Sequence, residues 1–360
     1  MNQSKYFRTC LSIIATMLII YMAFKLSFIL LPVLYVCKLL LVPFALSGFL
    51  FYLLRPIINY LQKQKLNRSV SVIIIYLAFA GLLILFSMLV WPTLRDQVLT
   101  FVDNAPHLVT DLQKQLQQVQ QNRFFSKIIP SESELYSRFT EYLNQLISWI
   151  TDSISNFVGV ISNVVIILAT IPIILYYMLK EGAKLPFILL HIIPRRYRKD
   201  GREIITEIDT ALSQFIIGRV LLNLILGVLM YIGFLIIDLP YALLLSLISA
   251  VLNLIPYVGA IIATIPVVIV ALTVSPSIAI WSVVIIIIAQ QIQDNILSPV
   301  IYGKQLDIHP LTTVILLLIG AEFFGIMGVI LAIPAYMVIK IILVHIYGLF
   351  LSDKVEDIIE

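Results

Sequence analysis

Apolar residues run for a membrane-spanning length at about 10–31, 36–60, 69–92, 157–179, 212–237 and 277–299. A bilayer core of roughly 30 Å takes ~20 helical residues to cross, so each run predicts one spanning helix. Two further tracts are too long for one such helix and are broken in the middle. Tyr241 to Thr273 is interrupted at NLIPYVGA (Asn253 to Ala260), and Leu311 to about Ile346 at IGAEFFGIMG (Ile319 to Gly328). Paired Gly/Pro-interrupted tracts in matching positions of a chain are the best sequence pointer to a transporter's binding region.

The polar segments between the runs set the expected orientation. Lys63, Lys65 and Arg68 mark one short loop, and Lys180, Lys184, Arg195, Arg196, Arg198, Lys199 and Arg202 mark the segment 180–210. The positive-inside rule assigns both to the cytoplasm, with an even number of spans between them. Both termini then also fall inside, and Lys25 and Lys38 flank a short outer turn around Pro32. Residues 93–156 fall outside. There Leu108, Leu112, Leu116 and Val119, and later Leu135, Phe139, Leu143, Leu146 and Ile150, recur at helical spacing. They predict amphipathic helices lying on the membrane or a neighbouring subunit, or a solvated helical cap.

The broken tracts belong to an internal repeat. Residues 212–273 and 277–346 each hold a spanning helix, a polar turn ending in proline and a broken tract, with GAIIATIP (Gly259 to Pro266) echoed by GVILAIP (Gly328 to Pro334). If each tract is a re-entrant hairpin, the first dips in from outside and the second from the cytoplasm, which keeps Lys304 and Lys354 inside. One kinked span per tract would put Lys304 outside. Two full spans per tract would need polar loops where the breaks are nearly apolar. The expected fold is therefore an all-α polytopic membrane protein with about six spanning helices plus two re-entrant helical hairpins in an inverted repeat.

Composition agrees and narrows the chemistry. The 360 residues are 61% hydrophobic and 12% charged, with a mean hydropathy of +1.03, which no ordinary soluble domain matches. The four histidines are scattered, and no HExxH or Cys-pair metal spacing occurs. No catalytic residues, metal or cofactor are expected. Cys10 and Cys37 sit in apolar runs and read as free thiols. The basic string RRYRK lacks interleaved stacking aromatics and reads as a topology determinant rather than a nucleic-acid site. Lys5 and Arg8 precede an apolar run without a small-x-small cleavage site, so an uncleaved first helix is expected.

Polar groups at membrane depth are costly, so their positions are hypotheses about function. The densest group is QQIQDN, with Gln290, Gln291, Asp294 and Asn295 as candidate solute or ion contacts, unless that helix end simply meets the interface. Glu322 lies at the apex of the second hairpin and would carry a proton, hold Na⁺ or bond a polyol, or else reach water as an ordinary carboxylate. Arg219 has Asp294 or Glu322 as prospective partners, or snorkels to the interface. Asn223 and Asn253 extend the polar line or act as interhelical glue. The hairpin tips hold Pro256, Gly259, Gly320, Gly325 and Gly328. Non-helical backbone there predicts a cavity, because it is tolerated only inside protein or beside water.

At these residues the chain resembles the autoinducer-2 exporter family of bacterial membrane transporters. The likeness covers most of the chain from about Leu31. It is carried by PFALSGFLFYLLRPIINYLQ (Pro43 to Gln62), the DNAPHL segment near Pro106, YYMLKEGAKL (Tyr176 to Leu185) and LPYALLLSLISAVLNLIPYVGA (Leu239 to Ala260). The most specific stretch is QQIQDNILSPVIYGKQLDIHPL (Gln290 to Leu311) followed by FFGIMGVILAIP (Phe323 to Pro334). The resemblance implies a homo-oligomer, a pentamer by family likeness, in the bacterial inner membrane, whose hairpin core carries solute by an elevator-like movement. It also implies export of the furanone-type quorum signal autoinducer-2, Na⁺(Li⁺)/H⁺ antiport, or a sporulation role without a known substrate.

The expected division is 1–92 for three N-terminal spans, 93–156 for the extracytoplasmic segment and 157–211 for a span and basic linker. A transport core at 212–350 and an acidic tail at 351–360 complete it. The leading reading is a secondary transporter exporting a small polar solute, with H⁺ or Na⁺ as the driving ion. An antiporter titrating at Glu322 or Asp294 and a structural scaffold are the alternatives. The partners expected are the lipid bilayer, the solute and further copies of the chain, with no nucleic acid.

Overall fold

The structure is a computed structural model that describes residues 27–104, 165–182, 193–302 and 308–350, with isolated positions within 11–25, 141–145 and 188–191. The amphipathic stretches expected at 108–119 and, apart from residues 141 and 145, at 135–150, the loop carrying Lys304 and the tail 351–360 lie outside the described residues. Nine α-helices are described: α1 (Ser27–Lys63), α2 (Arg68–Leu89), α3 (Val165–Glu181), α4 (Arg198–Ile236), α5 (Ala242–Leu252), α6 (Val258–Val274), α7 (Pro276–Ile292), α8 (Ser298–Tyr302) and α9 (Pro310–Phe350). Residues 91–104 are helical as well. Five of these stretches are long and apolar enough to cross a membrane: Leu39–Lys63, Arg68–Leu89, Arg195–Ile236, Pro276–Tyr302 and Pro310–Gly348. The chain is an all-α polytopic membrane protein.

One expectation fails at the start. The turn anticipated around Pro32 is instead part of α1, which runs through Pro32, Pro43 and Pro56. A proline removes one backbone hydrogen bond, but apolar surroundings offer the backbone no better partner than the helix itself.

α1, α2 and α3 pack around Phe51, Ile58, Val72, Ile75, Leu175 and Leu179. Buried Ser47 donates from Oγ to the Ile171 carbonyl at 3.1 Å, Tyr76 donates to the Pro172 carbonyl at 2.6 Å, and Arg68 Nε donates to the Leu179 carbonyl at 2.7 Å. The last contact puts a cation on the negative end of α3. Much of α2, including Leu82, Leu83, Ile84 and Leu85, is exposed apolar surface, as a lipid-facing helix requires.

This group is tied to α4 by an ion pair. Arg55 Nη1 lies 2.6 Å and 2.7 Å from the two carboxylate oxygens of Asp209, with each side chain about one-third exposed. Partial exposure screens the pair, so a double-mutant cycle of Arg55→Ala and Asp209→Ala, read by thermal unfolding in detergent, should give a small but measurable coupling of about 0.5–1 kcal/mol. A coupling indistinguishable from zero would remove the pair as a tie between the two groups.

α4 is the central helix; it packs against α1, α5, α7 and α9. It ends in a Schellman turn: Leu239 N–H donates to Phe234 O at 2.9 Å and Asp238 N–H to Leu235 O at 3.1 Å, with Asp238 at φ 51°. Leu239 is buried in the core that joins α4, α5, α6 and α7 around Leu226, Met230, Phe234, Leu245, Val267 and Ile286. The helix at 91–104 docks on the same place. Phe101 enters this core and meets Tyr241 edge to face at 5.5 Å. Gln97 Oε1 accepts from Leu244 N–H at 2.9 Å, which satisfies an otherwise orphan donor at the start of α5. Between α6 and α7, Ser275 caps through Oγ to Ile278 N–H at 3.2 Å and Pro276 follows at the first helical position.

Both broken tracts reverse direction. A β-carbon built on Gly259 would overlap the Leu252 carbonyl, and one built on Gly328 would overlap the Gly320 carbonyl. Gly320 and Gly328 would stand ~12 Å apart along an unbroken helix. Their contact means that α9 folds back on itself, and the fold is at Gly325, where φ is 58° and ψ −142°. Gly259 and Gly328, which open the two similar strings, do the same job: each lets a returning arm touch the entering one.

The two hairpins open toward opposite ends of α4. The first opens beside 97–104 and the Schellman turn. The second opens beside residues 199–211, where Ile308 and Val344 flank one cavity and His345 Nε2 lies 3.4 Å from Glu207. That end also holds Arg55, Asp209 and the Arg68–Leu179 contact, and with Lys199, Arg202 and Lys340 it is a strongly basic end among the described residues.

Candidate functional site

The tip of the first hairpin, residues 253–257, is strongly distorted backbone. Val258 N–H donates to Pro256 O at 2.7 Å, closing a γ-turn with Tyr257 at φ 63° and ψ −54°. That conformation is rare for a side-chain-bearing residue and costs of order 1–3 kcal/mol. Facing it, α7 gives way to a π-turn at Gln293–Leu297. Such turns insert one residue into a helix and gather at functional sites.

Asn253 joins the two distortions. Its buried Nδ2 donates to Gln293 Oε1 at 3.0 Å, inside the π-turn, and to Asn223 Oδ1 at 3.3 Å, on α4. Its backbone carbonyl accepts a hydrogen bond from Arg219 Nη2. Arg219 and Asn223 stand four residues apart on α4 and so share a face. Asp294 and Tyr302 both lie within electrostatic reach of the guanidinium. The Tyr302 ring is fixed there by stacking on Phe215 at 6.4 Å and by Gly218, whose missing side chain leaves room for it.

Four buried polar atoms in this region have no hydrogen bond of good geometry: Arg219 Nε, Asn223 Nδ2, Gln290 Nε2 and Tyr302 Oη. The phenol thus lies against the guanidinium electrostatically without a well-formed bond to it. Leaving a buried polar group unpaired costs ~1–3 kcal/mol, so the cluster carries an unmet demand for partners.

The structure gathers some of the sequence candidates and separates others. Asn253, Arg219 and Asp294 converge at the first tip, with Gln290 one turn before Gln293 on α7. Gln291 and Asn295 bond to each other on the exposed side of the helix. Pro256 and Gly259 form the first tip; Gly320, Gly325 and Gly328 form the second. Glu322 departs from expectation as a partner for Arg219. It is exposed near the second tip, α9 packs on α4 and α1, and Glu322 is not among the charges acting on Arg219 or Asp294.

Sequence reasoning gave Gln293 and Asn223 less weight than their geometry warrants and passed over Tyr302. Gln293 belonged to the string QQIQDN, but the π-turn shifts the faces of that string, and nothing in the residue types announces such a turn.

A cavity of about 870 Å³ opens at the basic end between α4 and the returning arm of α9, lined among others by Lys199, Arg202, Glu207, Thr210, Tyr336 and Lys340. Its nearest wall on α4, at Ala211, stops ~12 Å of helical rise short of Arg219. The cavity and the polar cluster are therefore separate features stacked along one helix.

Comparison with known proteins bears on what this arrangement serves. A family model described as AI-2E family transporter matches residues 18–348. The chain is 35% identical over 353 residues to "Putative transport protein YueF" of Bacillus subtilis, covering 97% of this chain and 95% of that one. It is 32% identical over 342 residues to "Putative transport protein YrrI" of the same organism, covering 93% and 94%. It is 27% identical over 316 residues to "Putative permease PerM" of Escherichia coli K12, covering 84% and 86%. With the family model spanning nearly its whole length, this chain belongs to the AI-2E transporter family and is a multi-pass membrane transporter.

Proposed function

We propose that the chain is a secondary transporter that exports a small polar solute from the cytoplasm, bound where the tip of the first hairpin meets the π-turn of α7. One observation carries this reading: the Asn253 side chain links a strained hairpin tip, a π-turn and the middle of α4 in a single buried polar cluster. Irregular backbone at membrane depth persists where it lines a site, and half-helix ends there present unpaired polar groups to a ligand.

The basic end is assigned to the cytoplasm by charge bias, together with both termini, in a bacterial inner membrane. The first hairpin is then re-entrant from outside and the second from the cytoplasm. The cavity beside Thr210 and Lys340 serves as the inner vestibule, and an elevator-like displacement of the hairpin core against α1–α3 exchanges access. Autoinducer-2, the solute after which the family is called, is one candidate, although its hydroxyls would meet only part of the cluster's demand for acceptors. Na⁺(Li⁺)/H⁺ antiport draws less support, since the acid of the second tip does not act on Asp294 or Arg219.

Proteoliposome flux of autoinducer-2, other small polar solutes and Na⁺ tests the proposal. Wild type should move a polar solute, and Gln293→Leu, which removes the acceptor for Asn253, should slow that flux at least ~10-fold. Glu322→Gln should leave it within about twofold. The reading is overturned if the wild type exchanges only Na⁺ for H⁺ and Glu322→Gln or Asp294→Asn abolishes that exchange.

A further inference from the structure

We infer that the solute is held through a carboxylate or another acceptor-only anionic oxygen group, with Arg219 as its counter-charge and Asn223, Gln290 and Tyr302 as further donors. This rests on the reading that the first hairpin tip is the solute site, and it names the chemical class which that site takes.

The cluster has more free donors than its paired acceptors can take. Three acceptors of the cluster are already used: Asn223 Oδ1 and Gln293 Oε1 take the two protons of Asn253 Nδ2, and the Asn253 carbonyl takes one from Arg219. What remains unpaired is Arg219 Nε, Asn223 Nδ2, Gln290 Nε2 and Tyr302 Oη. The first three can only donate, and a phenol readily does. Asn223 is only 4% exposed, so its free N–H cannot be satisfied by turning to the surface.

A ligand that completes this site must supply lone pairs and bring few protons of its own. A carboxylate does so, with two oxygens and about four acceptor positions. A polyol fits worse, because each hydroxyl that accepts also has a proton to place. A bare metal cation fits worst: it needs oxygen lone pairs, and here it would face N–H groups and a guanidinium.

Charge points the same way. Arg219 donates to a neutral carbonyl, and it forms no ion pair with a carboxylate within the described residues. Asp294, in the π-turn, acts on it through space, but its side chain is exposed. A buried guanidinium bonds strongly to a carboxylate in a water-poor setting. The position of the phenol serves the same end, since Phe215 and Gly218 hold Tyr302 against Arg219 without a well-formed hydrogen bond to its hydroxyl.

The test uses purified full-length protein and a size-matched panel: glycolate, glycerate and malate against their amides, with glycerol and erythritol. Binding is read by ligand-induced thermal shift and by proteoliposome flux. The carboxylates should bind at least ~10-fold more tightly than their amides. Tyr302→Phe should weaken carboxylate binding by roughly tenfold while leaving the unliganded unfolding temperature nearly unchanged, because the lost hydroxyl makes no well-formed hydrogen bond in the protein. Arg219→Lys should keep the preference for anions, and Arg219→Gln should erase it.

If amides and polyols bind as well as the carboxylates, or Tyr302→Phe leaves carboxylate affinity unchanged, water fills these donors and the inference is wrong. It is equally wrong if no carboxylate of the panel binds. Should a neutral solute still be carried and Gln293→Leu stop it, the tip remains the solute site and only the anion assignment falls. Should Gln293→Leu leave carboxylate flux untouched, the site reading itself fails.

Discussion

Replacing Gly328 by alanine is expected to disrupt the second hairpin and abolish transport. The new methyl group would occupy the position of the Gly320 carbonyl, which belongs to backbone and cannot rotate aside as a side-chain tip can. The arms must separate, and both carry buried residues, Thr313 and Leu317 on the entering arm and Ala332, Ile333 and Met337 on the returning one, that such a movement would disturb. A cost of at least ~3 kcal/mol is expected, the upper end of overpacking penalties. Gly259→Ala should cost a similar amount, since its methyl would meet the Leu252 carbonyl. Gly325→Ala is different in kind: space around it is open, but φ 58° with ψ −142° is a conformation that only glycine adopts without strain. Its cost should be of order 1–3 kcal/mol.

Gly81→Ala in α2 is the control. Nothing lies within 4 Å of the added methyl, so stability should hold or rise by up to ~1 kcal/mol. Thermal unfolding in detergent reads all four variants, and flux in proteoliposomes reads the consequence. Wild-type stability in Gly328→Ala would mean that the two arms do not touch and that α9 is a single bent span.

The same glycines show what a sequence can reveal about this fold. Tract length exposed the hairpins, because ~33 apolar residues cannot cross a core that needs ~20. Matching strings then singled out Gly259 and Gly328, and both prove to be contact points between antiparallel arms. Charge placement predicted that 93 onward and the 237–241 turn share one side; the bonds from Gln97 and Asn104 to Leu244 and Tyr241 agree with it.

Other features follow from packing and left no mark in residue type. The helix continues through Pro32 because nothing nearby competes for its backbone, so a proline that reads as punctuation is only a missing bond. The π-turn at Gln293–Leu297 changes which side of QQIQDN faces inward, and periodicity arguments assume that no such turn occurs. Glu322 attracted notice as an acid among apolar residues, yet its exposure at the second tip removes the reason for regarding it as Arg219's partner. Tyr302 carried no signal, since tyrosine near a helix end is common in membrane proteins. What distinguishes it is a neighbour, Gly218, more than eighty positions earlier in the chain.

The sharpest expected loss of function short of unfolding lies at Asn253. In Asn253→Ala the backbone carbonyl remains, so Arg219 keeps its bond, and only the side-chain bonds to Asn223 and Gln293 disappear. Two buried amide oxygens are then left without donors, at ~1–3 kcal/mol in stability. The greater effect is on transport. With the tip no longer tied to the π-turn, Asn223 and Gln293 are free to pair with each other or with solute donors. The arrangement that presents Asn223 Nδ2 as a free donor is lost, and flux should fall ~100-fold while the protein still folds. Gln293→Ala removes one of the same two bonds, so the double variant should be little worse than Asn253→Ala alone, with a coupling of about 1 kcal/mol. Independent, additive losses from the two substitutions would mean that the tip and the π-turn work separately, and that Asn253 is a packing residue rather than the joint between them.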